Sequence, residues 1–192
     1  MSVTVDGERF SDPQVQSVGQ VLDRLTGEQR MVTSLLIDGS EPDLDALEQV
    51  RATALAGRVV YIETASPGVV ANDVLEQTIL RLDEAEREAA AAADLVQQTD
   101  ATPGVARLSH AFARWSEAQE AITQVLALFN LDPAAFELPA TMHELSAHLR
   151  EMKQAVERED YVTLADVLNY DLPDTLGNWR GSVEQMRGTV AA

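Results

Sequence analysis

His143, Glu144 and His148 are the residues that come nearest to a catalytic metal site. A zinc-protease helix needs two histidines four residues apart, so that both rings reach one metal, with a glutamate beside the first as general base. Here the second histidine follows the first by five residues. Five residues turn a helix by about 500°, which leaves the two rings about 140° apart. The spacing therefore excludes a shared metal and predicts two surface histidines.

Other motifs that carry chemistry are missing from the sequence. Because there is no cysteine, thiolate zinc sites, disulfides and cysteine nucleophiles are excluded. The sequence has no glycine-rich phosphate loop and no Gly-x-Ser-x-Gly nucleophile elbow. The acidic segment 38–45 follows a predicted strand but lacks the order of a calcium loop, so it is interpreted as a turn. We expect no catalytic, cofactor-binding or metal-binding residues.

The chain is strongly acidic, with 32 acidic against 14 basic residues and a formal net charge of -18. Such a chain repels phosphate backbones and anionic lipid, so neither nucleic acid nor membrane is an expected partner. The acidity has two open explanations, which are adaptation to a salty host and recognition of a basic partner. With no signal sequence and no apolar run of about eighteen residues, the sequence predicts a cytoplasmic protein.

Residues 1–65 predict a small mixed α/β module. Two short strands flank Asp6-Gly7, Asp12-Pro13 predicts the start of a helix that ends at Gly27, and two further strands are expected at 30–38 and 58–64. The order of hairpin, helix, strand, short helix and strand is compatible with a β-grasp-like fold. A ubiquitin-like modifier would need a free C-terminal Gly-Gly after its last strand. Here the last predicted strand runs on into a helix, so a role as a conjugated modifier is excluded.

Residues 66–192 predict an antiparallel bundle of four to five helices, which makes the chain an α+β protein. Ser66-Pro67 and Thr102-Pro103 mark two helix starts, and Thr141 with Glu144 fits a capping box at a third. Five consecutive alanines, 89–93, permit close approach of another helix, or reflect helix propensity alone.

The longest apolar stripe lies on the second of these helices and repeats at intervals of three and four residues. It comprises Val105, Leu108, Phe112, Trp115, Gln119, Ile122, Leu126 and Phe129. Gln119 is the only polar member. A polar residue in such a stripe can fix register or oligomeric state, and it can equally mark the edge of the stripe.

The last stretch, residues 160–188, keeps its apolar phase through Pro173, so one kinked helix and two separate helices both explain it. Trp179 shares the apolar stripe and is expected in the core. Tyr170 faces the other way and is the better candidate for an exposed anchor. Gln119, Tyr170 and Trp179 are therefore the candidate partner-binding residues.

Two segments carry a resemblance. Arg58-Val-Val-Tyr-Ile-Glu-Thr-Ala-Ser-Pro67 leads into a long helix, and Glu159-Asp-Tyr-Val-Thr-Leu-Ala-Asp-Val-Leu-Asn-Tyr-Asp-Leu-Pro173 lies near the end. Together they resemble a scattered set of uncharacterised bacterial proteins with a small N-terminal β unit and a helical C-terminal region. The resemblance implies the architecture and no site.

These observations favour a non-enzymatic interaction module that binds a partner helix, an acidic adaptor similar in size and helical content to export chaperones of flagellar and secretion systems. This hypothesis predicts an apolar groove left uncovered by the bundle. One alternative is a self-associating homodimer in which Gln119 sets the register. Another is an enzyme or small-ligand carrier with an unrecognised site at the domain junction, where Arg58 and Tyr61 could meet carboxylates.

Overall fold

The computed structural model describes residues 2–98 and 100–191, apart from the side chain of Leu44. The chain divides into two compact units, Met1–Val70 and Ala71–Ala192. Ser66-Pro67-Gly68, where the sequence predicts the boundary, is the point at which the last strand ends and a long helix begins. The Ser66 hydroxyl accepts the Val69 amide at 3.3 Å, as the predicted cap requires.

The first unit contains a mixed sheet of four described strands, in the order β2-β1-β4-β3. The strands are β1 (Ser2–Val5), β2 (Glu8–Phe10), β3 (Met31–Ile37) and β4 (Val59–Ala65). β1 pairs with β2 in antiparallel and with β4 in parallel orientation, and β3 pairs with β4 antiparallel. Asp6 and Gly7 both have positive φ, which suits the hairpin turn that their sequence predicts.

The helix α1 (Val18–Gly27) supplies the core beneath one face of this sheet, and α2 (Leu47–Ala52) follows β3. Val18, Val21 and Leu25 of α1 share one buried cluster with alternate residues of β1 and β4. The prediction that α1 starts at Asp12-Pro13 is wrong. Ser17 caps the helix instead and forms a capping box with Gln20, whereas Asp12 closes only a turn, accepting the Gln14 amide at 2.9 Å.

The second unit is helical. It contains α3 (Pro67–Val96), α4 (Thr102–Phe129), α5 (Leu138–Glu157), α6 (Tyr161–Asp166) and α7 (Leu172–Val190). One large core cluster contains buried residues from all five of these helices. The predicted capping box at Thr141 is wrong because α5 begins at Leu138, with Pro139 in its first turn. The Thr141 hydroxyl instead donates to the Glu137 carbonyl at 3.2 Å.

The backbone stays helical from α6 into α7 through a wider turn, Val167–Asp171, of the π type. In this turn the Leu172 amide donates to the Val167 carbonyl, five residues back. Pro173 follows directly. Its ring would clash with the Asn169 carbonyl in an ordinary α-helical turn, and the wider turn gives it room. Of the two arrangements open from sequence, the structure thus has one helical path with an irregular turn.

Gly104 marks a close approach between α4 and the alanine-rich end of α3. A Cβ built at this position would lie 2.7 Å from the Val96 nitrogen and 3.0 Å from the Ala92 carbonyl oxygen. Farther along, Arg107 binds Glu88 at 2.7 Å and Arg114 binds Glu84 at 3.3 Å, so the two helices run in opposite directions. Ala92 of the alanine run thus contacts the first turn of α4. Close approach of another helix along the whole run stays a prediction.

Replacing Gly104 by alanine is expected to lower the free energy of unfolding by about 1–3 kcal/mol, because a methyl group must be forced against backbone atoms. Gly181→Ala on α7 is the matched control, since a Cβ there meets nothing within 4 Å. That variant should gain about 0.5–1 kcal/mol from reduced backbone entropy. Urea unfolding of both variants measures the difference. Equal stability of the two variants would contradict the close α3–α4 contact.

Candidate interaction surface

The three residues singled out from the sequence lie in different environments. Tyr170 is 71% exposed and Trp179 is 1% exposed, and both placements agree with the helical spacing. Gln119 is exposed on α4. Tyr170 belongs to the π turn after α6, whereas Gln119 and Trp179 line one hollow together.

The eight-residue stripe of α4 divides into two rows. Leu108, Trp115 and Ile122 are buried, and Phe129 at the end of the same row is half-buried. The alternate members, Val105, Phe112, Gln119 and Leu126, are half-buried or exposed and form what is called here the α4 row. The core-facing surface is completed by small residues, Gly104, Ala111, Ala118 and Ala121. The α4 row therefore lies at the margin of the core instead of its centre.

An apolar groove of about 480 Å³ runs between the α4 row and α5. Its α4 side carries Val105, Leu108 and Phe112, and its α5 side carries Leu149, Met152, Val156 and two charged residues. Phe112 keeps 39% of its surface exposed while its ring packs against Trp115, with ring centroids 5.3 Å apart. The groove is thus lined mostly by apolar side chains of the two helices.

A second hollow, of about 170 Å³, lies farther along the same two helices. Gln119, Ile122 and Leu126 line it from α4, and Met142 lines it from the start of α5. Trp179 of α7 also lines it. Since α5 runs opposite to α4, its half-buried residues Met142, Leu149 and Val156 form a matching α5 row. The two rows together are called here the α4–α5 seam.

The seam carries little charge of its own. Lys153 and Glu157 are the charged residues that line the first groove, and they pair with each other at 3.8 Å. No charged residue lines the second hollow among the described residues. An occupant of the seam therefore contacts an apolar surface whose one charged pair is neutralised within the seam.

The other side of α4 forms a polar hollow of about 650 Å³ with α3. Arg87, Arg107 and Arg114 face Glu84, Glu88 and Glu117 there, with His110 between them. The carboxylate of Glu117, 2.8 Å from Arg114, raises the pKa of that guanidinium. Arg107 pairs with Glu88, and Arg114 pairs with Glu84 and Glu117, so this hollow is explained by ion pairs along and between the helices.

The two histidines of α5 lie in different surroundings. His143 is exposed, as expected, whereas His148 is half-buried and its Nε2 lies 3.1 Å from the Thr175 hydroxyl of α7. Within residues 2–98 and 100–191, no group of three or more histidine, aspartate or glutamate side chains is placed to hold a metal ion. No helix in these residues is both long and apolar enough to cross a membrane.

Arg58 forms an ion pair with a carboxylate of the first unit. Its guanidinium pairs with Asp38, and Asp38 also accepts the Val59 amide at 3.0 Å. That backbone hydrogen bond, together with Arg58, lowers the pKa of the Asp38 carboxyl. Asp38, the first residue of the acidic segment 38–45, therefore stabilises the start of β4. Tyr61 is exposed on the face of β4 opposite the buried Val60 and Ile62.

A protein family matches most of the helical unit. The family described as "Domain of unknown function (DUF8042)" matches residues 73–182, more than half of the chain. The chain therefore belongs to this family, and the matched segment contains the whole α4–α5 seam. No curated protein and no solved structure matches the chain.

Trp115→Ala is expected to lower the free energy of unfolding by about 3–5 kcal/mol, because a large buried side chain leaves a cavity. Trp115 is 4% exposed. Tyr170→Ala is the exposed aromatic control and should stay within about 0.5 kcal/mol of wild type. Thermal or urea unfolding checks both. An unchanged midpoint for Trp115→Ala would contradict its place in the core.

Proposed function

We propose that this protein is a non-enzymatic interaction module whose α4–α5 seam binds an apolar face of a partner helix. The observation that carries the proposal is the groove lined by Val105, Leu108 and Phe112 on α4 and by Leu149 and Val156 on α5. Two parallel walls of apolar side chains at helical spacing suit an amphipathic helix laid between them. The hypothesis of an adaptor or chaperone-like protein requires such an uncovered groove.

Charge favours a partner over a second copy of the chain. Each copy carries a formal net charge of -18, so self-association brings two strongly like-charged bodies together. A partner helix with lysine and arginine on its solvent face is instead attracted by the same field. The homodimer remains the second candidate, because the seam is apolar and its one ion pair is internal.

Tyr170 offers a second contact for the same partner. It and Val162 are each 71% exposed on the α6–π-turn segment, which also carries the exposed residues Asp166 and Asp171. An exposed aromatic ring beside carboxylates suits a basic side chain, through cation–π and ionic attraction. Trp179 would act from within the core, as a wall of the second hollow.

The finer architecture is also part of this proposal. A hairpin, a helix and two more strands, with the first and last strands parallel at the centre of the sheet, support a β-grasp-like first unit. The opposed α3, α4 and α5 support an antiparallel bundle in the second.

The test is a selection from a displayed library of random peptides of about 20 residues, about 30 Å of helix. Wild type is the bait, and Phe112→Asp is the variant that places a charge in the groove. Selected peptides should share apolar residues at helical spacing and lose at least about 10-fold in affinity with Phe112→Asp. Leu128→Asp is the matched control, since Leu128 is an exposed apolar residue of α4 that lines neither hollow of the seam.

Two outcomes would contradict the proposal. One is a library that yields no peptide with a helical apolar pattern. The other is a set of peptides that Phe112→Asp and Leu128→Asp weaken equally. Tyr170→Ala is measured against the same peptides, and a selective loss for basic peptides would support the second contact.

A further inference from the structure

We infer that the α4–α5 seam binds a partner helix with a heptad repeat. Gln119 sets the register of that helix, because it favours one polar partner residue at the position opposite its side chain. The inference rests on the proposed function and adds the chemistry of the occupant. The occupant is a helix with apolar residues repeated every seven positions, one hydrogen-bonding side chain among them, and basic residues on its outer face.

The spacing of the two rows carries the first step. Val105, Phe112, Gln119 and Leu126 follow one another at intervals of seven residues on α4. Met142, Leu149 and Val156 follow the same interval on α5. One heptad of helix covers about 10.5 Å. The rows therefore present matched steps along the seam, with Val105 and Val156 lining the same groove as Phe112 and Leu149.

A helix is the occupant that fits these steps. A third helix with a heptad repeat can place its own apolar residues against both rows, as in a three-stranded coiled coil. The α4 row extends from Val105 to Leu126, about 32 Å, which corresponds to three heptads of a partner helix. A strand repeats every two residues and would fall out of step with the rows.

Gln119 interrupts an otherwise apolar seam. It is exposed and lines the second hollow with Met142 and Trp179. Among the described residues, no group forms a hydrogen bond with the side-chain amide of Gln119. The Thr123 hydroxyl donates to the backbone carbonyl of Gln119 at 2.8 Å. Covering this amide with an apolar residue would leave its donors and acceptor unpaired, which is costly.

Register selection follows from this cost. A partner helix that meets Gln119 with asparagine or glutamine satisfies the amide, whereas a slip of one heptad buries both polar groups against apolar side chains. Phe112 and Leu126 lie one heptad on either side of Gln119 and define the apolar neighbours. The partner's polar residue is therefore expected between two apolar heptad positions.

The experiment uses two synthetic peptides of about 28 residues, four heptads each. Both carry leucine at the heptad core positions and lysine and arginine elsewhere, and one has a single asparagine at a central core position. Fluorescence anisotropy gives their dissociation constants with wild type and with Gln119→Leu. Wild type should prefer the asparagine peptide and Gln119→Leu the all-leucine peptide, with the preference ratio changing by about 10-fold or more.

Register is measured separately, because the chain has no cysteine and a single one can be labelled. Ser116→Cys, exposed one turn before Gln119, carries a benzophenone that cross-links the bound peptide. Moving the asparagine by one heptad in the peptide should move the cross-linked residue by seven positions, and Gln119→Leu should abolish this dependence.

The outcomes separate the two proposals. If both peptides bind at the seam, with loss in Phe112→Asp, but show no preference that depends on Gln119, the register role is overturned and the proposed function stands. If neither peptide binds wild type, or if Phe112→Asp leaves binding intact, the proposed function fails as well. A wild-type dimer that the peptides cannot displace would show that a second copy occupies the seam.

Discussion

The close approach of Gly104 to the last turn of α3 is the constraint on which the placement of α4 depends. Gly104 lies against the backbone of Ala92 and Val96, where even a methyl group would not fit. Ala111 and Ala118 lie on the same side of α4 as Arg107 and Arg114, which reach α3 through ion pairs. Small side chains on this side let α4 turn its buried face towards α3, and the α4 row is left at the margin. The uncovered seam follows from that orientation.

The sequence predicts much of the fold because local signals and packing agree there. The Asp6-Gly7 hairpin, the helix start at Ser66-Pro67, the burial of Trp115 and Trp179 and the exposure of Tyr170 all follow from turn chemistry or helical spacing. Two helix starts were mispredicted because a stronger competing signal lay nearby. Ser17 with Gln20 outcompetes Asp12, and Pro139 starts α5 before Thr141.

The candidate site could be predicted only in part. The stripe from Val105 to Phe129 is visible in the sequence, but its division into an inner and an outer row is not. Alanine and glycine carry almost no hydrophobic signal. The sequence pattern therefore selected Phe112 as a core residue in place of the buried Ala111 and Ala118. The heptad interval of the α4 row was present in the sequence. The sequence did not show that α5 lies beside this row and carries apolar residues at the same interval.

The apolar seam and the acidity are the two features behind the proposal that an acidic helical protein holds a basic amphipathic helix. Methionine-methyl NMR tests this most directly, since Met142 and Met152 line the two hollows, while Met31 lies in β3 and Met186 is buried in α7. On addition of a selected peptide, the account predicts that the signals of Met142 and Met152 shift and that those of Met31 and Met186 stay in place. Shifts confined to Met31 or Met186, with Met142 and Met152 unchanged, would contradict it.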